Sequence, residues 1–183
     1  YDAPTKVDGL PNFACGMLAV LLFGVFIVSF GIKIREKIAA LSMLAIIAVS
    51  CNMNILNYIW HGFHFTNQIP YRFAFIFSFV LAAAAFRAYD ILLSRGIKVY
   101  QIVFMLACPA AVLVLNRMSK GADYQFEGAV KSSAIIAGAF WLIFIAAKIF
   151  PFKTQKKRNV LMTLALSAAM FSEFISNAQM GVK

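Results

Sequence analysis

A chain of 183 residues that is 62% hydrophobic and only 13% charged, with a mean hydropathy of +0.82, is too apolar for a water-soluble domain, whose surface must carry charge. Its net charge of +10 does not indicate a nucleic-acid surface, because the cations stand in short clusters between apolar runs, as in membrane-protein loops. Composition therefore predicts an all-α polytopic integral membrane helix bundle of about six transmembrane helices.

Six apolar runs, at 13–32, 38–59, 73–93, 99–115, 133–150 and 160–177, each approach the roughly 20 residues that cross a bilayer. They are read as helices because lipid offers the backbone no hydrogen bonds and the runs lack the alternation of a barrel strand. Residues 1–183 form one transmembrane domain on this reading. The start on Tyr1 without a signal-peptide pattern leads to the expectation of an internal segment of a longer protein. Cys15, Cys51 and Cys108 lie in separate apolar runs without ligand spacing and read as small core residues. The second run ends among Asn52, Asn54 and Asn57. The third contains the small stretch Ala82 to Ala85, and Arg87 and Asp90 at i,i+3, a local ion pair. Pro109 predicts a kink in the fourth. Ala137, Gly138 and Ala139 in the fifth predict close helix approach. The sixth ends with Glu173, Ser176 and Asn177.

Alternate connections divide the cations unequally. Lys33, Arg35, Lys37, Arg87, Arg95, Lys98, Lys148, Lys153, Lys156, Lys157 and Arg158 fall on one face with only Glu36 and Asp90, while the opposite face is nearly neutral. The positive-inside rule makes the first face cytoplasmic. The loop 61–72 and both chain ends then face outside a plasma membrane.

That outer end also gathers the costly polar groups. Glu173 and Asn177 are one helical turn apart. The segment from Trp60 to Arg72 holds Trp60, His61, His64, Asn67, Tyr71 and Arg72. Aromatic faces beside amide and imidazole groups suit a sugar or lipid head group, and an interfacial aromatic belt has the same composition. Two histidines without neighbouring thiols or acids do not make a metal site. Arg72 opens the third helix, where the macrodipole disfavours a cation. It either snorkels to water, pairs with Glu173 or meets a phosphate. Glu173 is an intramembrane acid, and so either a functional group or half of a structural pair. No cofactor motif is identified.

The stretches Asp8-Gly-Leu-Pro-Asn-Phe-Ala-Cys-Gly16, Asn57-Tyr-Ile-Trp-His-Gly-Phe-His64 and Pro70-Tyr-Arg-Phe-Ala-Phe-Ile-Phe-Ser-Phe79 resemble the YfhO family of bacterial multi-spanning membrane proteins. Phe13 and Ala14 depart from the first motif. The resemblance implies similarity to GT-C glycosyltransferases, which transfer a sugar from a polyprenyl-phosphate donor on the outer face to an envelope polymer such as lipoteichoic acid. It implies a substrate-binding role for Trp60, His61, His64, Asn67, Tyr71, Arg72, Glu173 and Asn177, with the catalytic carboxylate outside this chain. The partners are then membrane lipid, lipid-linked sugar and envelope polymer, with no nucleic acid. A transporter or flippase for a lipid-linked substrate and a structural membrane module are the rival readings; a transporter needs polar residues continuing toward the inner half.

Overall fold

The computed structural model describes residues 15–64, 71–118 and 126–181. Among the described residues every regular element is helical: α1 (Met17–Val28), α2 (Ile34–Asn52), α3 (Asn54–Trp60), α4 (Ala74–Arg95), α5 (Val99–Met105), α6 (Ala107–Met118), α7 (Phe126–Ile149) and α8 (Gln155–Gly181). The predicted stretches are all found as helix, with different ends and two interruptions.

The predicted helix 38–59 breaks at Met53, whose φ of −119° and ψ of 114° are extended, and α2 and α3 diverge by 111°. The cause is local. Ser50 Oγ donates to the Ile46 carbonyl at 2.7 Å and Asn52 Nδ2 to the Ala48 carbonyl at 2.9 Å, and side chains that bond the preceding turn bend a helix. The fourth predicted helix is interrupted at Leu106. Pro109 offers no N–H and its ring crowds the carbonyl four residues earlier, at Met105, so the helix restarts just beyond that point.

By length and apolar composition, Ala74–Arg95 and Lys131–Ile149 can cross a membrane, and a third crossing is added if the bent pair α2 and α3 counts as one. The described helices thus supply two to three candidate spans where six were expected. Met17–Val28 and Val99–Ala111 are shorter apolar helices; α1 reaches only about 18 Å at 1.5 Å per residue, against a hydrocarbon core of about 30 Å. The stretch 160–177 lies within α8, a helix that begins with Lys156, Lys157 and Arg158.

The chain forms two compact units. The first comprises Tyr1–Cys15 and Lys33–Ala84, the second Gly16–Ile32 and Ala85–Lys183. In the first, α2 packs on α3 and buries Leu44, Ile47 and Ser50, with Phe73, Ala74, Leu81 and Ala84 also buried. In the second, α1 packs against α5, α6 and α7, and α7 against α8. Leu21, Val25, Met105, Phe140 and Phe144 form its solvent-free centre.

α1 approaches α5 closely at Gly24, where a Cβ would collide with the backbone carbonyl of Phe104. The expected small-residue contact in α7 rests on Ala137, which is buried; a Cβ on Gly138 would meet nothing within 4 Å. One buried polar side chain ties the start of α5 to the end of α1 here. Gln101, 2% exposed, accepts the Lys98 N–H through Oε1 at 2.8 Å and donates from Nε2 to Ser29 Oγ at 2.9 Å. Both amide functions of Gln101 are thereby engaged, as burial of a polar group requires.

Candidate functional site

The Trp60-His61-Gly62-Phe63 stretch has a local structural role. Beyond α3, the Phe63 N–H donates to the Tyr58 carbonyl and the Gly62 N–H to the Ile59 carbonyl, both at 3.0 Å, the paired bonds of a Schellman C-cap. Gly62 takes the left-handed position with φ of +66°, which costs an achiral residue least. The Phe63 ring meets the Tyr58 ring edge-on at 5.8 Å, the apolar contact that accompanies this motif. Phe63 and Tyr71 also have positive φ, 62° and 74°. Strain of that kind needs surrounding structure to hold it and concentrates at functional sites.

The residues on either side of the undescribed stretch 65–70 meet at Phe73, which is 4% exposed. Trp60 stacks on it with centroids 5.3 Å apart, and His61 and Tyr71 approach it edge-on at 6.0 and 6.4 Å. The Trp60 indole N–H donates to Ser50 Oγ at 3.0 Å, so one ring face and the N–H are engaged while the residue stays 38% exposed. The structure therefore brings together Trp60, His61 and Tyr71 of the predicted residues. It adds Phe73 and Ser50, which the sequence offered as ordinary apolar and small positions.

His61 Nδ1 lies 2.7 Å from the Asn57 backbone carbonyl. A carbonyl only accepts, so Nδ1 carries the hydrogen, and in the neutral ring Nε2 is an acceptor. Among the described residues His61 Nε2 and Asn57 Oδ1 are buried without a hydrogen-bond partner. Two buried acceptors a helical turn apart call for donors. Asn57 was legible only as one of three asparagines near the end of a helix; its pairing with His61 follows from their i,i+4 spacing.

Arg72 is exposed and, among the described residues, has no ion-pair partner, which leaves its guanidinium open to an anion. His64 is exposed beyond the C-cap. Asn67 lies outside the described residues, as does the side chain of Asn177 in α8. Among the described residues no three His, Cys, Asp or Glu side chains are grouped as metal ligands. Arg87 and Asp90 form the local ion pair read from the sequence, Nη1 to Oδ2 at 3.2 Å.

Glu173 belongs to the second unit and serves the backbone there. Its Oε1 accepts the Met17 N–H at 2.8 Å, and both carboxylate oxygens lie within 4 Å of where a Cβ on Gly16 would stand. α1 has glycine at its N-cap and no acid in its first turn. A carboxylate from α8 thus takes the place of the missing cap and opposes the positive end of the α1 dipole. Glu173→Ala should cost about 1 kcal/mol, the usual value of an N-cap, seen as a thermal midpoint a few degrees lower in detergent. Glu173→Gln, which keeps an acceptor oxygen, should lose less. Equal midpoints for all three proteins would show that the cap adds nothing.

Comparison with family models gives a match over residues 1–183 to the family described as bacterial membrane protein YfhO. Neither the curated proteins nor the solved structures yield a match.

Proposed function

We propose, from the premise that this chain belongs to the YfhO family of bacterial membrane proteins, that it is the part of a multi-pass glycosyltransferase that binds a polyprenyl-phosphate-linked sugar on the outer face. Six crossings in one domain, with loop 61–72 and both chain ends outside, complete this reading. Its acceptor is an envelope polymer such as lipoteichoic acid. The observation that carries it is the Phe73 cluster, where an exposed indole stands beside two unpartnered buried acceptors, His61 Nε2 and Asn57 Oδ1. An apolar ring face with imidazole and amide groups nearby in the chain suits the C–H face and hydroxyls of a sugar.

In the reaction an acceptor hydroxyl oxygen bonds to the anomeric carbon, the bond from that carbon to phosphate oxygen breaks, and polyprenyl phosphate departs. A cation must meet the charge that develops on the phosphate, and Arg72 is the exposed guanidinium next to the cluster in sequence. His61 and Asn57 orient sugar hydroxyls, and Trp60 and Tyr71 form the apolar wall. A base must take the acceptor proton; the resemblance places that carboxylate outside this chain.

A second reading, a transporter or flippase, draws on the 111° break between α2 and α3, because discontinuous helices build transporter sites. Sugar transfer by membranes carrying the intact protein, supplied with polyprenyl-phosphate sugar and envelope polymer, decides between them. Arg72→Ala should lower transfer about 10- to 100-fold, the value of one charge-assisted phosphate contact, and His61→Ala should also lose activity, both with normal membrane insertion. Unchanged transfer in both variants removes these residues from the site. Movement of lipid-linked sugar across vesicles without transfer establishes the flippase.

A further inference from the structure

A different observation, independent of the transfer reading, concerns the second unit where α8 starts. There the C-terminal carbonyls of α4 meet the start of α8. Gln155 Nε2 donates to the Leu93 carbonyl at 2.8 Å and Asn159 Nδ2 to the same carbonyl at 3.0 Å. This junction collects cations. Arg95 ends α4, Lys98 precedes α5 and Lys148 stands in the last turn of α7. Lys153, Lys156 and Lys157 follow around the start of α8, all exposed. Among the described residues α8 has no acid in its first turn, and Asp90, toward the end of α4, is held by Arg87.

Arg158 distinguishes this end from a loose basic face. Its Nε and Nη2 both donate to Asn159 Oδ1, at 3.2 and 2.9 Å, and its Nη1 lies 3.7 Å from where a Cβ on Gly96 would stand. The guanidinium is half-buried and oriented by a neutral amide, and among the described residues no carboxylate pairs with it. Beside the cations stand large apolar groups. Phe30 is 90% exposed and Phe150 67%, and the Phe30 ring meets Tyr100 edge-on at 6.0 Å.

We propose that this end of the second unit binds anionic phospholipid, with Arg158 and the α8 lysines on the headgroup phosphates and the flanking apolar side chains in the acyl region. Lysine and arginine clusters beside a membrane helix attract anionic lipid, and a guanidinium suits phosphate oxygens. Phe30 and Phe150 beside the cations suit acyl chains next to headgroup phosphates, a pairing that a soluble anion does not offer. The apolar border therefore favours the lipid.

The test is retention of phosphatidylglycerol against phosphatidylcholine by the intact protein, counted by native mass spectrometry from an equimolar mixture and paralleled by thermal unfolding. Phosphatidylglycerol should be retained at least tenfold in preference and should raise the midpoint. The triple variant Lys153→Gln, Lys156→Gln, Lys157→Gln should weaken its binding about fivefold per cation removed, roughly a hundredfold in all, and Arg158→Gln should weaken it with all lysines present. Equal retention of the two lipids, or variants that bind as wild type does, overturns the proposal. Equal stabilisation by inorganic phosphate overturns it in favour of a soluble anion. If the variants misfold, salt on the wild-type protein decides. Preference that falls between about 0.05 and 0.5 M salt supports the headgroup contacts, because exposed charges are screened over that range, and preference that does not fall refutes them.

Discussion

Gly24→Ala is expected to lower the stability of the second unit by about 2 kcal/mol, although the same change in an unconstrained helix stabilises by up to about 1 kcal/mol. The added methyl meets the Phe104 carbonyl, a backbone atom that no rotamer change can move aside. α1 must therefore shift off α5, and overpacking of this kind costs typically 1 to 3 kcal/mol. α1 is short, with its start held through Glu173 and its far end through Ser29 and Gln101, so little displacement is available. Gly138→Ala is the control, because a Cβ there meets nothing within 4 Å. Thermal unfolding in one detergent should show a midpoint several degrees lower for the Gly24 variant and unchanged or slightly higher for the Gly138 variant. A Gly24→Ala protein as stable as wild type would mean that α1 and α5 do not pack this closely.

Phe73→Ala should have a larger effect, about 3 to 5 kcal/mol, the range for removing a buried phenylalanine. The ring is the common partner of Trp60, His61 and Tyr71. Its loss leaves a cavity and removes the surface that sets the Trp60 plane and the His61 ring. Aromatic pairs add about 0.5 to 1.5 kcal/mol each beyond the area they bury, so Phe73→Leu should restore part of the stability but not the ring geometry. The two variants separate packing from function. With Phe73→Leu the protein should remain folded, by its helical circular dichroism and thermal midpoint, while the proposed sugar transfer falls with the loss of the oriented wall. Full transfer by a folded Phe73→Leu protein would show that the cluster is an anchor for the helix ends and no binding surface.

Helical class was legible because lipid leaves the backbone few solutions; the run 73–93 lies close to Ala74–Arg95, while 133–150 matches the end of Phe126–Ile149 but not its earlier start. The number of crossings was not legible in the same way. A hydropathy run records how apolar a stretch is, not whether the helix stays unbroken. The α2 break depends on the Ser50 and Asn52 side chains bonding carbonyls four residues back, alternatives that Ser and Asn also offer without being used. The α5–α6 interruption was legible, because proline acts on its own chain through a missing N–H.

The sequence by itself determined that this is an apolar helical membrane protein, with its cations toward one set of connections and an aromatic, amide-rich segment at Trp60 to Arg72, since composition and short spacing are local properties. The C-cap at Gly62 and the bond between His61 and the Asn57 carbonyl emerge only in the structure, although both lie within one turn of α3. Tertiary structure decided what each polar group does. Glu173, an open choice between a site residue and a partner for Arg72, bonds the Met17 N–H, 156 positions away in the chain. Gly24 is one glycine in an apolar run until Phe104 is laid against it. Phe73 is an ordinary aromatic until three rings gather on it. These outcomes depend on contacts between segments far apart in sequence, and local propensity and periodicity do not report which segments will meet.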